Sequence, residues 1–536
     1  MLTFVPGMAT IPPLDRDESR FTQATKQMIE TGDFIEIRFQ DEARNKKPIG
    51  IYWMQAITAG WLSDEPYNSI WAYRIPSVLG GILTVLFVFG LGAKLFDEET
   101  GLIGAGLMAS SLLLIGETHI AKTDAVLLAF VTAAQLMVAH FFVAARQGAP
   151  QPRLRDSVLL GLAFGLGVLV KGPMILFFVG LTVIALSIWE GRWAWISSMR
   201  PIFGLGIVIL INVPWLVAIG LVTKGAYFSE AIGQDFLGKM AGAQESHWGP
   251  PGYYLATLLV GFWPGWLFVA PGIVYAFARR SEGAVRFLLA WLVPAWIILE
   301  LAPTKLPHYP LPLYPALALL CAAAVMAGVR DSRSFLDNVP VKIGAALWLM
   351  VTIALLGGLL YFVPATYGSG SGIVFWILGI PVLLAAGAAV LFLLRGEGEN
   401  ATAATVVAGA IFGAVALAGV LPGLGQLMVS RNAANLIARS NAVPKAVTAV
   451  GFHEPSLVFQ VGTDMKLAGS AADAADFLTK TPNSVALVEQ RKDAEFHQSL
   501  AQLNFTAEAL GNVKGLNYSN GDQVSLTLYR LKKTGP

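Results

Sequence analysis

Asp17 and Glu18 stand side by side in DRDESRF, after Pro12-Pro13 and before Arg20. Adjacent carboxylates there have two readings. They cap a helix, whose N-terminal dipole favours negative charge, or they supply a general base, helped by a divalent metal. Asp124, in ETHIAKTDAVLLAF, opens a long apolar run and carries the same ambiguity. With Glu117, His119 and Lys122 close by, it reads as part of a polar site facing a cavity. Lys171, in VLVKGPMIL, separates two apolar stretches and precedes Gly-Pro, where backbone groups need partners other than lipid. Snorkelling of its stem is the plainer reading. His247 in QESHWGPPGYY, a motif that ends on Tyr254, could equally belong to a rigid turn; Lys305, His308 and Tyr309 follow in TKLPHYPLPLYPAL. Several cations converging on one face suit an anionic phosphate.

These groups need a scaffold, and composition says which solvent it meets. The 536 residues are 55% hydrophobic and 13% charged, with a mean hydropathy of +0.61, values that point to lipid. A net charge of +2 gives no basic stripe for nucleic acid. The single Cys321 excludes an intramolecular disulfide and a thiolate metal cluster. No cleavable signal peptide is expected, because the N-terminus lacks a basic stretch and turns polar by Asp15.

A crossing helix needs roughly 20 apolar residues, and about twelve stretches qualify. They run near 73–96, 101–118, 123–145, 157–170, 172–189, 201–222, 254–278, 285–302, 309–329, 341–363, 372–395 and 401–425. Alternate loops are basic, with Arg146, Arg153 and Arg155, then Arg192 and Arg200, then Arg279, Arg280 and Arg286. Basic loops mark the cytoplasmic side. The acids, lysines and histidines above then fall on the opposite, periplasmic side of a bacterial inner membrane. Residues 1–72 form an external region, with amphipathic helical spacing at Phe21, Ala24, Met28 and Ile29 and an interfacial run from Lys47 to Leu62. Residues 73–428 form the membrane domain. Residues 442–536 alternate strand-like and helix-like segments, as in AVTAVGF, SAADAADFLTK, SVALVEQ, DAEFHQSLAQL and VSLTLYRL, and read as a small periplasmic α/β domain.

In that order, DRDESRF, NKKPIGIYW, AKTDAVL, LVKGP, HWGPPGYY and TKLPHYPLPLYPAL resemble the GT-C membrane glycosyltransferases, in the group of lipid A aminoarabinose transferases and protein O-mannosyltransferases. The resemblance implies an α-helical polytopic enzyme moving a sugar from a polyprenyl (undecaprenyl) phosphate to a lipid A, glycolipid or protein acceptor. It makes Asp17 and Glu18 catalytic, with Asp124 a second acidic position near metal or acceptor. Lys47 would hold the carrier phosphate with Arg20 beside it; Lys46, Lys171, His247, Lys305 and Tyr309 fall around the same phosphate. Lys122, His119, Tyr254 and His308 complete the cavity. A divalent ion (Mg, Mn or Zn) would sit on Asp17, Glu18 and Asp124; otherwise no cofactor, and a monomer, are expected. Two departures stand out. The family's first helix, before the acidic pair, has no counterpart in the sixteen residues preceding Asp17. Lys46 stands where the aminoarabinose group tends to have Glu. The rival readings are a transporter or flippase of a lipid-linked sugar, which would place charge at the midplane and show repeated halves, and a membrane anchor presenting the α/β domain.

Overall fold

The structure, a computed structural model, describes residues 3–150, 152–231, 248–330, 339–368, 373–440 and 446–532. Each apolar stretch is helical, because in lipid a helix satisfies its own backbone N–H and C=O groups. Eight helices among the described residues are long and apolar enough to cross a membrane, among them Ile70–Leu95, Asp124–Gln147, Gly283–Leu301 and Leu311–Arg330. Leu154–Lys171, which carries Arg155, Asp156 and Lys171, and the shorter Met174–Glu190 fill the gap between two of them.

Two stretches are broken. Glu98–Ser110 and Leu112–Thr118 meet at 62°, and Tyr253–Gly261 and Gly265–Ala278 at 116°. The run 254–278, expected as one crossing, is therefore a sharply folded pair. The cause lies in the sequence, since Pro264 lacks an N–H and cannot continue the helical ladder. The first break bonds to the second: Leu112 N–H donates to the Trp263 carbonyl at 2.9 Å and Ser111 Oγ to the Gly261 carbonyl at 3.4 Å. Trp348 Nε1 adds a bond to the Pro264 carbonyl at 2.9 Å.

One end of the bundle is covered by the N-terminal region. The helix Arg16–Thr31 buries Phe21, Ala24 and Met28, as the amphipathic spacing requires, and leaves Ile29 half-buried. Its N-cap is Asp15, whose carboxylate accepts from Glu18 N–H at 2.8 Å. Gly50–Leu62 follows, with Trp61 left 87% exposed where an interfacial residue belongs. Gly50 is required here, because a Cβ would come within 2.6 Å of the Leu169 carbonyl oxygen. That close approach brings the Lys47 segment to the Lys171 end of its helix.

The basic loops lie at the other end. There Glu190 Oε1 accepts from both Arg146 and Arg286 at 2.6 Å, and Arg330 bridges Asp97 and Glu99 at 2.8 Å each.

Beyond the bundle, the helix Val429–Arg439 lays Val429, Ala433 and Ile437 into the core of a five-stranded sheet. The spatial order is Lys466–Leu467, Ala446–Val450, Ser484–Glu489, Gln523–Leu531, Ala507–Leu516. The first three strands are parallel and the last two join antiparallel. Helices Ala471–Lys480 and Gln490–Gln502 pack against the sheet, and Pro455–Val461 leads from it toward the membrane end.

Candidate active site

Four helix ends and two turns meet at the covered end. Asp124 begins its helix and Lys171 ends another, so both charges sit where the helix dipoles favour them. Lys171 Nζ lies 2.5 Å from Asp124 Oδ1, and both side chains are largely buried. The N-cap of that helix is Thr123, which makes no side-chain cap bond, and the Asp124 carboxylate serves the pair.

His308 reaches the same carboxylate, with Nε2 3.7 Å from Asp124 Oδ1, and its Nδ1 lies 3.9 Å from Glu117 Oε1. Lys122 Nζ lies 3.8 Å from Glu117 Oε1 and 3.5 Å from Asp15 Oδ2. The result is a chain of polar contacts running through Lys171, Asp124, His308, Glu117, Lys122 and Asp15. Burial pushes the His308 imidazole down to about 4, against the pull of Asp124, so it is neutral at pH 7. Burial also works against the Lys122 ammonium, but Glu117, Asp15 and Asp124 outweigh it and push its pKa up. Glu117 Oε2 is buried and without a hydrogen-bond partner.

Asp17 lies one turn from Asp15, with its side chain 58% exposed, 3.4 Å from Arg20 and 3.9 Å from Arg44. The cleft disfavours its charge, but Arg44, Lys122 and Arg20 outweigh that effect and hold the carboxyl below its ordinary value. Arg44 in turn donates to Tyr52 Oη at 3.3 Å. Since Asp15 is the cap, Asp17 is left as the ionised, reachable acid of the pair.

The structure gives three of the expected site residues other duties. Glu18 is 1% exposed and locked: Arg74 Nε and Nη2 donate to its two oxygens at 2.8 and 3.0 Å, and Ala121 N–H adds a bond at 2.9 Å. Both oxygens are engaged by protein donors in a buried setting. His119 has its ring nitrogens on the carbonyls of Ile115 and Pro6 at 2.7 and 2.9 Å, tying the N-terminal segment to the turn rather than lining the cavity. Lys305 donates to the carbonyls of Glu300 and Ala302 at 2.9 and 2.5 Å, closing the end of its helix, so its ammonium is committed to the backbone rather than to a phosphate. Tyr254 is buried beside it, its N–H donating to Glu300 Oε1 at 3.0 Å. Lys46 is exposed, while Lys47 and Tyr309 are half-buried; Tyr309 stands edge-on to His308, ring centroids 5.1 Å apart. His247 lies outside the described residues.

Sequence reasoning passed over Arg74 and Arg44. Arg74 also donates to the carbonyls of Met8 and Ile11 at 2.8 and 2.7 Å, gathering the N-terminal segment, the first helix and the 119–124 turn onto one guanidinium. Its signal was present: an arginine one turn into an apolar run, where a lone charge is expensive. Arg44 sits in a polar loop and gave none.

Asp17, Glu18 and Asp124 do not form a metal cradle. Glu18 is saturated by Arg74, Asp124 faces Lys171 and His308, and no group of three His, Cys, Asp or Glu among the described residues is placed to hold an ion.

Beside the charged cluster an apolar groove of about 450 Å³ opens between helices 50–62, 70–95, 124–147 and 154–171. Met54, Ile57, Leu79, Leu83, Phe130 and Leu166 line it.

Over 98% of its length the chain superposes on 96% of ArnT from Cupriavidus metallidurans, solved bound to undecaprenyl phosphate, with TM-score 0.75 and 17% identity. The fold is that of this ArnT. An oligosaccharyltransferase from Archaeoglobus fulgidus is similar in fold more distantly, at TM-score 0.53 and 12% identity over 92% of this chain and 66% of that one. Residues 46–217 match the family described as dolichyl-phosphate-mannose-protein mannosyltransferase. In sequence the chain is 30% identical to the undecaprenyl phosphate-alpha-4-amino-4-deoxy-L-arabinose arabinosyl transferase of Edwardsiella ictaluri, over 58% of this chain and 55% of that protein. The chain thus spans just over half the length of that curated relative.

Proposed function

We propose that this protein transfers a sugar from a polyprenyl phosphate carrier, with undecaprenyl phosphate the expected lipid, to a lipid A, glycolipid or protein acceptor at the periplasmic face of a bacterial inner membrane. The observation that carries the reading is the adjacency of an apolar groove to a largely buried cluster of charged side chains that includes Lys122 and Lys171, at one end of the helices. A lipid phosphate needs both. The likeness in fold to a protein solved with undecaprenyl phosphate supports the same carrier.

The reaction is a single displacement at the anomeric carbon. An acceptor oxygen forms the new bond, the bond from that carbon to the carrier phosphate breaks, and the phosphate leaves as an anion. Asp17, exposed and ionised, takes or orients the acceptor proton. Lys47 and Arg20 hold the departing phosphate, and Lys171 and Lys122 keep the field around it positive. A phosphate needs charge stabilisation more than protonation as it leaves, which suits a site of lysines and arginines. With Glu18 and Asp124 committed to cations of the protein, no step runs through a divalent ion.

The experiment offers purified protein in nanodiscs a panel of labelled polyprenyl-phosphate sugars together with a membrane lipid extract. Label covalently joined to an acceptor supports the transferase. Label that only changes leaflet, with the carrier bond intact, would establish a flippase instead.

A further inference from the structure

The helix Pro455–Val461 of the C-terminal domain does not stop at the surface of the membrane part. Phe459, at its far end, is 0% exposed and packs with Ala59, Ile70, Tyr73 and Ala121. Its ring stands edge-on to Tyr73 with centroids 5.5 Å apart. Ala121 belongs to the turn carrying Lys122, and its N–H and C=O are both used: one by Glu18, the other by Gln55 Nε2 at 3.0 Å. Phe459 therefore shares its apolar cluster with the turn that holds Glu18, the neighbour of Asp17.

A second contact row runs along the Asp17 helix. Thr463 Oγ1 accepts from Gln23 Nε2 at 2.8 Å and donates to Glu30 Oε2 at 2.6 Å. Gln40 Nε2 donates to the carbonyls of Thr463 and Met465 at 3.0 and 2.6 Å. Lys26, 1% exposed on the same helix, donates to the Phe459 carbonyl at 3.4 Å. At the helix start, Arg16 pairs at 3.5 Å with Glu454, itself held by Asn517 and Ser519. Both ends and the middle of the helix are thus gripped by one domain.

We propose that the C-terminal domain is a working part of the active site, and that Phe459 and Thr463 are positioning residues setting the register of the Asp17 helix and the Lys122 turn. Neither touches a substrate. Each acts through the groups it holds, and misplacement of a reacting group by about 1 Å can cost on the order of a hundredfold in rate.

The test uses the full chain in nanodiscs and compares Phe459→Ala, Phe459→Leu, Thr463→Val and Thr463→Ser. Two readouts apply: the split between kcat and the KM for the carrier-linked sugar, and amide hydrogen exchange in residues 16–31. Phe459→Ala and Thr463→Val are expected to lower kcat roughly ten- to a hundredfold with KM little changed, and to speed exchange in 16–31. The conservative Phe459→Leu and Thr463→Ser recover most of both. If Phe459→Ala fails to fold, the near-isosteric Thr463 pair decides. Wild-type kcat and wild-type exchange in folded Phe459→Ala or in Thr463→Val overturn the proposal. Exchange is read without turnover, so a wild type inactive with every donor would sink the transferase reading while leaving this one testable.

Discussion

Lys171 and Asp124 meet at 2.5 Å although 47 positions separate them in the chain, one at the end of its helix and the other at the start. The pair joins the site ends of two helices, Asp124–Gln147 and Leu154–Lys171, and His308 leans on the same carboxylate oxygen at 3.7 Å. Removing one partner strands the other in a poorly solvated place, which typically costs about 3–5 kcal/mol.

Lys171→Met and Asp124→Asn are each expected to lower unfolding stability by an amount in that range. The double variant should cost clearly less than their sum, since neither stranded charge remains. Urea unfolding in detergent measures this; strict additivity would show that the two groups do not interact.

The acidic pair should split by function. Asp17→Asn is expected to leave thermal stability within about 0.5 kcal/mol, as for an exposed substitution, while abolishing transfer. Glu18→Gln should lower the melting temperature strongly, because Arg74 loses its ionised partner. Should Glu18→Gln prove stable and merely inactive, the structural role given to Glu18 would fall.

Acid should weaken the fold in two separate windows. The His308 pKa falls from an ordinary 6.5 to about 4 in the folded protein, so the unfolded chain binds more protons between those values. Stability is then full above about pH 6.5 and declines toward pH 4, where the folded imidazole finally protonates among Lys122, Lys171, Asp124 and Glu117. The Asp17 carboxyl is held low, so its contribution is lost only below its ordinary 3.8. Melting curves between pH 7 and 4 should flatten in His308→Gln; an unchanged slope would refute the assignment.

Chelation should leave turnover within about twofold, because lysines and arginines supply the positive charge that a metal would otherwise bring. Transfer assayed after dialysis against EDTA, with and without added Mg, Mn or Zn, measures this. Loss of activity restored by one of these ions would mean that the carboxylates rearrange on substrate binding.

Much of the architecture was readable because lipid imposes a simple rule: each apolar run had to be helical. The bends were not, since Ser111 and Pro264 signal a break but not the partner break, distant in the chain, that satisfies it. In the C-terminal domain the strand Ala507–Leu516 was missed, because its burial does not alternate cleanly along an outer strand. The site was legible as residue types on one side of the membrane. Asp15 as the cap, Arg74 as the partner of Glu18 and Lys305 as a helix stop depend on long-range geometry that spacing does not carry.

The most direct test of the central claim is transfer kinetics of the wild type, Asp17→Asn and Lys47→Ala with one carrier-linked sugar in nanodiscs. The account predicts that Asp17→Asn binds the carrier normally but loses kcat by at least about a hundredfold, and that Lys47→Ala raises the carrier KM and also slows transfer. Full transfer by Asp17→Asn, or unaltered carrier binding and turnover in Lys47→Ala, would contradict it.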